Sequence, residues 1–266
     1  MIDWTTALDA DAPVPGDLDA AVDELTGMLA AADPVVRDDR AYPLLVRWIG
    51  RGVLDDRLAA LGETMLDRFH HPEVQARTFA PLILAAAVRR DTDADLLDAA
   101  TLRRWRTAFA GWWSGETDIR GWDDRLGWLH AVAHGSDLVG AFGSSPRLSG
   151  PELAELLTLV AERITAPTDY QYAQMEEDRV ARALGLVLAR PEPTPAEATG
   201  WLGTVDALFA TGEPGPLPVR VANTLAVLRA AYVVADRAAT THRVAVTDAI
   251  AARLHEVFPA YPATRA

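Results

Sequence analysis

The chain has 266 residues, 50% hydrophobic and 24% charged, a composition that supports a sizeable buried core and leaves no room for extended disorder. Its net charge of −13 repels polyphosphate, so nucleic acid is not an expected partner. All 25 basic residues are Arg and Cys is absent, which removes Schiff-base, phosphate-loop-lysine and thiolate chemistry and leaves His, carboxylate, hydroxyl and Arg side chains to act.

Apolar residues recur three and four apart almost throughout, which predicts an all-α protein of about eleven helices. The start Met1-Ile2-Asp3-Trp4 has neither a basic end nor an apolar run, so no signal peptide is expected. Residues 1–16 read as an arm before Asp17, which opens a helix to about residue 32. Helices are then expected over 37–49, 54–69, 72–90 and 95–114, the last closing at Ser114-Gly115. A polar loop, 115–122, precedes a helix predicted over 124–142. Capping boxes at Ser149 with Glu152 and Thr194 with Glu197 open two more, with another helix at 171–189 between them. Two final helices, 217–236 and 240–257, follow the Pro-rich connection from Glu213 to Pro218, and residues 259–266 read as a tail. No apolar run reaches the length of a membrane span, and a cytoplasmic location is expected.

Segments beginning near Val74, Glu177 and Val219 each place an Arg before a small-residue helix face. That pattern is similar to HEAT-type repeats, whose helix pairs stack into an α/α superhelix because no pair buries its own face. A single helical-repeat domain over 17–258 is the expected organisation.

The segment Gly127 to Asp137 carries the chemistry. On a helix, His130, His134 and Asp137 share one stripe, surrounded by Leu129, Val132 and Leu138. Buried polar groups require partners, and two sources are close in sequence or pattern: Glu116, Asp118 and Arg120 before the helix, and Glu177, Asp178 and Arg179 in a later one. Trp128 and its neighbouring Trp residues would line an apolar or cation-binding pocket.

Three readings of the stripe are open. It forms a structural network with Arg120 and Arg179 pairing the carboxylates. Alternatively His130, His134 and Asp137, completed by Glu116 or Asp118, hold Zn²⁺, Mn²⁺ or Fe²⁺. In the third, one His acts as a base with Asp137 orienting it and an Arg fixing an anionic substrate. The expected function is a helical-repeat protein whose polar cleft binds a partner or small ligand, with a metal-dependent or His-based enzyme as the alternative.

Arg37-Asp38 with Tyr42 and Trp48, Arg77-Thr78-Phe79, Glu116-x-Asp118-x-Arg120-Gly121, Gly127-Trp128-x-His130 through His134-Gly135-x-Asp137, and Glu177-Asp178-Arg179 together resemble the uncharacterised bacterial domain family DUF2785. The resemblance spans roughly residues 37–190 and implies an all-helical fold without specifying a substrate.

Overall fold

The computed structural model describes residues 4–8, 11–212, 215–238 and 240–263. The readings placed on Met1 to Asp3, on Glu213-Pro214 and on the last three residues lie outside these. Among the described residues the chain is all-α apart from one short hairpin. Contacts divide it into two compact units, Met1–Leu138 and Val139–Ala266.

The first unit begins with α1 (Trp4–Ala7) and α2 (Leu18–Met28), whose N-cap Asp17 accepts the Ala20 N–H at 3.1 Å. Next, α3 (Pro34–Val36) passes through a π-turn at Arg37–Ala41 into α4 (Tyr42–Gly50). The wider π-turn sits where Arg37 turns wholly inward, at 0% exposure. A 3₁₀ turn at Asp55–Arg57 leads into α5 (Leu58–Arg68), followed by α6 (Val74–Ala94) and α7 (Ala99–Gly115). Helix α6 packs on α4 and α5, and α5 on α7. Burial of α6 from Thr78 to Val88 makes it the central helix of this unit, and its apolar circumference there fits that position.

The expected helix over 124–142 is the main correction. Residues Trp122–Asp123 (β1) and Gly127–Trp128 (β2) form an antiparallel hairpin, and helix α8 (Ala131–Ser144) starts only at Ala131. The Asp123 carboxylate accepts the N–H groups of Arg125 and Leu126, both at 3.0 Å, which closes the turn and competes with helix formation. Gly127 has φ of 72° and a Cβ there would press on Pro34, so no other residue fits the close approach. Leu129 N–H bonds the Gly121 carbonyl at 2.9 Å and His130 N–H bonds that of Arg120 at 3.1 Å, extending the hairpin to the first turn of α8.

The second unit contains α9 (Gly150–Thr165), α10 (Glu176–Leu188), α11 (Pro195–Gly200), α12 (Leu202–Phe209), α13 (Val219–Arg237) and α14 (Arg243–Val257). Both expected capping boxes are present, at Ser149 with Glu152 and at Thr194 with Glu197. Helix α13 packs along α10 and α14, with α9 against α11, α12 and α13. Glu176, fully buried, accepts the Ala173 and Gln174 N–H groups at 3.0 and 2.8 Å and the Tyr170 hydroxyl at 3.2 Å, pinning the connection into α10. Burial raises the Tyr172 phenol well above its ordinary range, so that ring is a neutral core element.

Glycines set two helix approaches in the first unit. A Cβ on Gly62 would overlap the Trp105 ring, and one on Gly135 would overlap Trp113, whose indole N–H donates to the Ala131 carbonyl at 3.1 Å. Both indoles are fully buried. Gly62→Ala and Gly135→Ala should therefore each lower unfolding free energy by about 1–3 kcal/mol, the usual range for overpacking. Gly27→Ala, where a Cβ meets nothing, should be neutral or stabilising in the same urea titration followed by circular dichroism.

Candidate functional site

Two layers of side chains, one ion-paired and one aromatic, meet at the hairpin of the first unit. The inner layer is an ion-pair latch. Arg77 on α6 grips Glu116, at the end of α7, through Nε to Oε2 at 2.6 Å and Nη2 to Oε1 at 3.0 Å. The same carboxylate accepts the Trp112 indole N–H at 3.0 Å and the Asp118 N–H at 3.0 Å. Burial pushes Glu116 toward a higher pKa, but the Arg77 guanidinium and these N–H donors outweigh it and hold the group below its ordinary value. Asp118 is lowered mainly by its bidentate bond to Arg120, against burial, at 2.8 and 2.6 Å. Arg120 also reaches Asp123, which ties the acidic loop to the turn of the hairpin.

Arg37 is the second anchor, and it acts on the hairpin from behind. Its Nη2 donates to the carbonyls of Leu126 at 2.6 Å and Trp128 at 3.2 Å, its Nη1 to Ala31 at 2.9 Å, and its Nε lies 2.7 Å from Asp38. The guanidinium also sits 4.8 Å from the centroid of Phe79. Sequence reading placed Arg37 in a motif but assigned it no contact.

The outer layer is aromatic. Trp122 meets Trp128 edge to face at 4.6 Å, and Trp128 stacks on His130 at 4.5 Å with the planes 7° apart. His130 lies 5.4 Å from His134, and His134 packs edge-on against Phe79 at 5.1 Å. A continuous ladder of rings thus runs from surface to core. Its outer end is open, with Trp122 43% and Trp128 40% exposed, while His130 and His134 are 8% and 5% exposed.

His130 and His134 are thus brought together, but not as one helix face. His130 stands before α8 with φ of 52°, a left-handed conformation that turns its ring onto Trp128. His134 is on α8, where its Nδ1 lies 2.9 Å from the Thr78 carbonyl. A carbonyl only accepts, so Nδ1 carries the proton in this contact. Asp137, half-buried on α8, has its main-chain carbonyl bonded by Arg89 at 3.4 Å. Among the described residues, no group of three or more His, Asp or Glu side chains is placed to hold a metal ion. Glu177, Asp178 and Arg179 lie in the first turn of α10, in the second unit; Glu177 and Arg179 are half-buried and Asp178 exposed.

A groove of about 420 Å³ opens elsewhere on the first unit, and sequence reading missed it. It is lined by Phe69 and His70 after α5, by Arg77, and by the α7 face from Thr107 to Glu116. Glu116 and Arg77 therefore face both the latch and this groove. The exposed Gly111 and Gly115, three and seven residues after Ala108 on one helix, were the available signal.

These features define an all-helical protein with an ion-paired, aromatic-faced hairpin and no helix, among the described residues, long and apolar enough to cross a membrane. The family model described as "Protein of unknown function (DUF2785)" matches residues 65–233, more than half of the chain, and the chain belongs to that family. The match starts beyond Arg37, Asp38, Tyr42 and Trp48 and extends past Arg190 into α13. No curated protein and no solved structure matches the chain.

Proposed function

We propose that this chain is a non-catalytic binding protein of the helical-repeat kind, and that the Trp122–Trp128 hairpin is its recognition surface for a cationic group. The observation that carries this reading is the exposure of two tryptophans on a hairpin braced by Arg37 and Arg120. Indoles held in water at fixed positions bring large contact area with little ordering entropy left to lose. Their faces attract cations, and the nearby carboxylates have the matching sign. Asp124 is exposed and uses one oxygen to accept the Trp122 indole N–H at 3.1 Å, which leaves the other at the surface. The net charge of −13 draws cations toward the molecule generally.

An alkylammonium ion and a guanidinium side chain share this chemistry. Titration with tetramethylammonium and with an arginine-containing tripeptide should shift the Trp122 indole N–H resonance saturably. Neopentyl alcohol, similar in shape to the former and uncharged, should not. Trp122→Ala and Trp128→Ala should weaken binding at least 10-fold while the chain stays folded, since both rings lie at the surface rather than in the core. Equal shifts with the uncharged control, or unaltered binding in both variants, would remove the proposal.

The acid–base reading of His130 and His134 has one observation in its favour. Bonding of His134 Nδ1 to the Thr78 carbonyl leaves Nε2 as the basic nitrogen of the ring. Both rings are nearly closed from solvent, and a substrate approaching His130 would have to displace the Trp128 indole stacked on it.

A further inference from the structure

We propose that the groove between the α5–α6 connection and α7 binds a small uncharged molecule with a flat apolar body and a carbonyl-type acceptor at one end. This site is separate from the hairpin and does not rest on the cation-binding reading.

Its size, about 420 Å³, lies within the range of small-molecule sites, roughly 300–1,000 Å³. One wall is aromatic and fixed: Phe69 and Trp112 both line it, and the two buried rings stack on each other at 4.8 Å with planes 10° apart. The floor consists of Ala108, Gly111 and Gly115. Gly111 is in the helix interior, where glycine is the least favourable residue after proline. No packing demand explains it, since a Cβ on Gly111 or Gly115 would meet nothing within 4 Å. The absent side chains leave the space that forms the groove.

The polar end specifies the head group. Of the five N–H bonds of Arg77, Nε and one on Nη2 are taken by Glu116, and Nη1 donates to the His71 and Pro72 carbonyls at 2.8 and 2.9 Å. One Nη2 hydrogen remains for an acceptor. The guanidinium cannot swing, so this donor is preorganised. Its charge is already neutralised by Glu116, and a ligand bearing a full negative charge would face that carboxylate without a cation to balance it. The exposed His70 and Thr107 at the rim add hydrogen-bonding groups.

The test uses the full chain and three probes with one body: 2-naphthamide, 2-naphthoate and 2-naphthyl phosphate. The Trp112 indole N–H, bonded to Glu116, reports binding by its NMR shift. Naphthamide should produce a saturable shift, naphthoate should bind several-fold more weakly, and the phosphate should not bind. Gly111→Leu fills the groove and improves helix propensity, so it should keep or raise the melting temperature while weakening naphthamide at least 10-fold. Trp122→Ala should leave naphthamide binding unchanged, which separates this site from the hairpin. No saturable shift, equal binding of the phosphate, or unaltered naphthamide affinity in a folded Gly111→Leu variant would overturn the proposal.

Discussion

Replacing Arg37 with Ala should cost about 3–5 kcal/mol of stability, the range for breaking a buried charge pair from one side. The side chain is fully buried, and its loss orphans carbonyls of Ala31, Leu126 and Trp128 as well as the Asp38 carboxylate. The melting temperature should fall by on the order of 10 °C for a chain of this size. Burial already raises Asp38, with Arg37 as the opposing influence. Without Arg37 the ionised form is disfavoured further, so the variant should lie closest to the parent at low pH, where Asp38 is protonated. The sign follows from linkage: an acid whose folded pKa is above about 3.9, its unfolded value, destabilises the fold as pH rises through the folded pKa. Thermal unfolding of parent and variant between pH 4 and 8 measures both effects. A second consequence is local. Two of the orphaned carbonyls belong to the hairpin, so the cation affinity proposed for Trp122 and Trp128 should fall along with stability.

Glu116→Gln should cost about 2–3 kcal/mol, below the fully buried range because the Arg77 side chain keeps an edge toward solvent. The amide has one acceptor oxygen where the carboxylate has two, so it serves at most part of the set formed by Arg77, Trp112 and the Asp118 N–H. The parent's pH dependence should change with it. Folded Glu116 and Asp118 both lie below their ordinary values, so the stability they contribute is complete above the unfolded values of about 4.3 and 3.9. It is lost as pH falls through the lowered folded values. In Glu116→Gln that acid limb should be shallower, with Asp118 and the other lowered carboxylates, such as Asp55 and Glu63, still contributing. Urea unfolding at pH 7 and at pH 4 separates the outcomes: an unchanged acid limb would show that the latch carries no linked proton.

The helix starts were legible because their chemistry is local. Asp17, Ser149 and Thr194 cap helices within three residues of themselves, and the capping-box glutamates lie in the same turn. The Arg120–Asp118 pair is equally short-range. Reading 124–142 as one helix failed for a related reason. Apolar residues flank that segment with helical spacing, yet Asp123 and Gly127 between Trp122 and Trp128 carry the turn signal of a hairpin. His130 and His134 lie 5.4 Å apart, but they do not share the expected helix face, because the left-handed His130 sends its ring to Trp128.

Composition, periodicity and caps determined by themselves that this chain is helical, where most helices begin, and which chemistries are closed to it, because each of those properties depends on residue type or on neighbours within one turn. Tertiary structure alone decided that Arg37 braces a hairpin 89 residues away, that Arg77 rather than Arg120 holds Glu116 across 39 residues, and that two glycines of α7 open a groove. A guanidinium binds whichever carboxylate or carbonyl the packed helices bring within reach. Helix packing sets that distance, and a single sequence does not encode it locally.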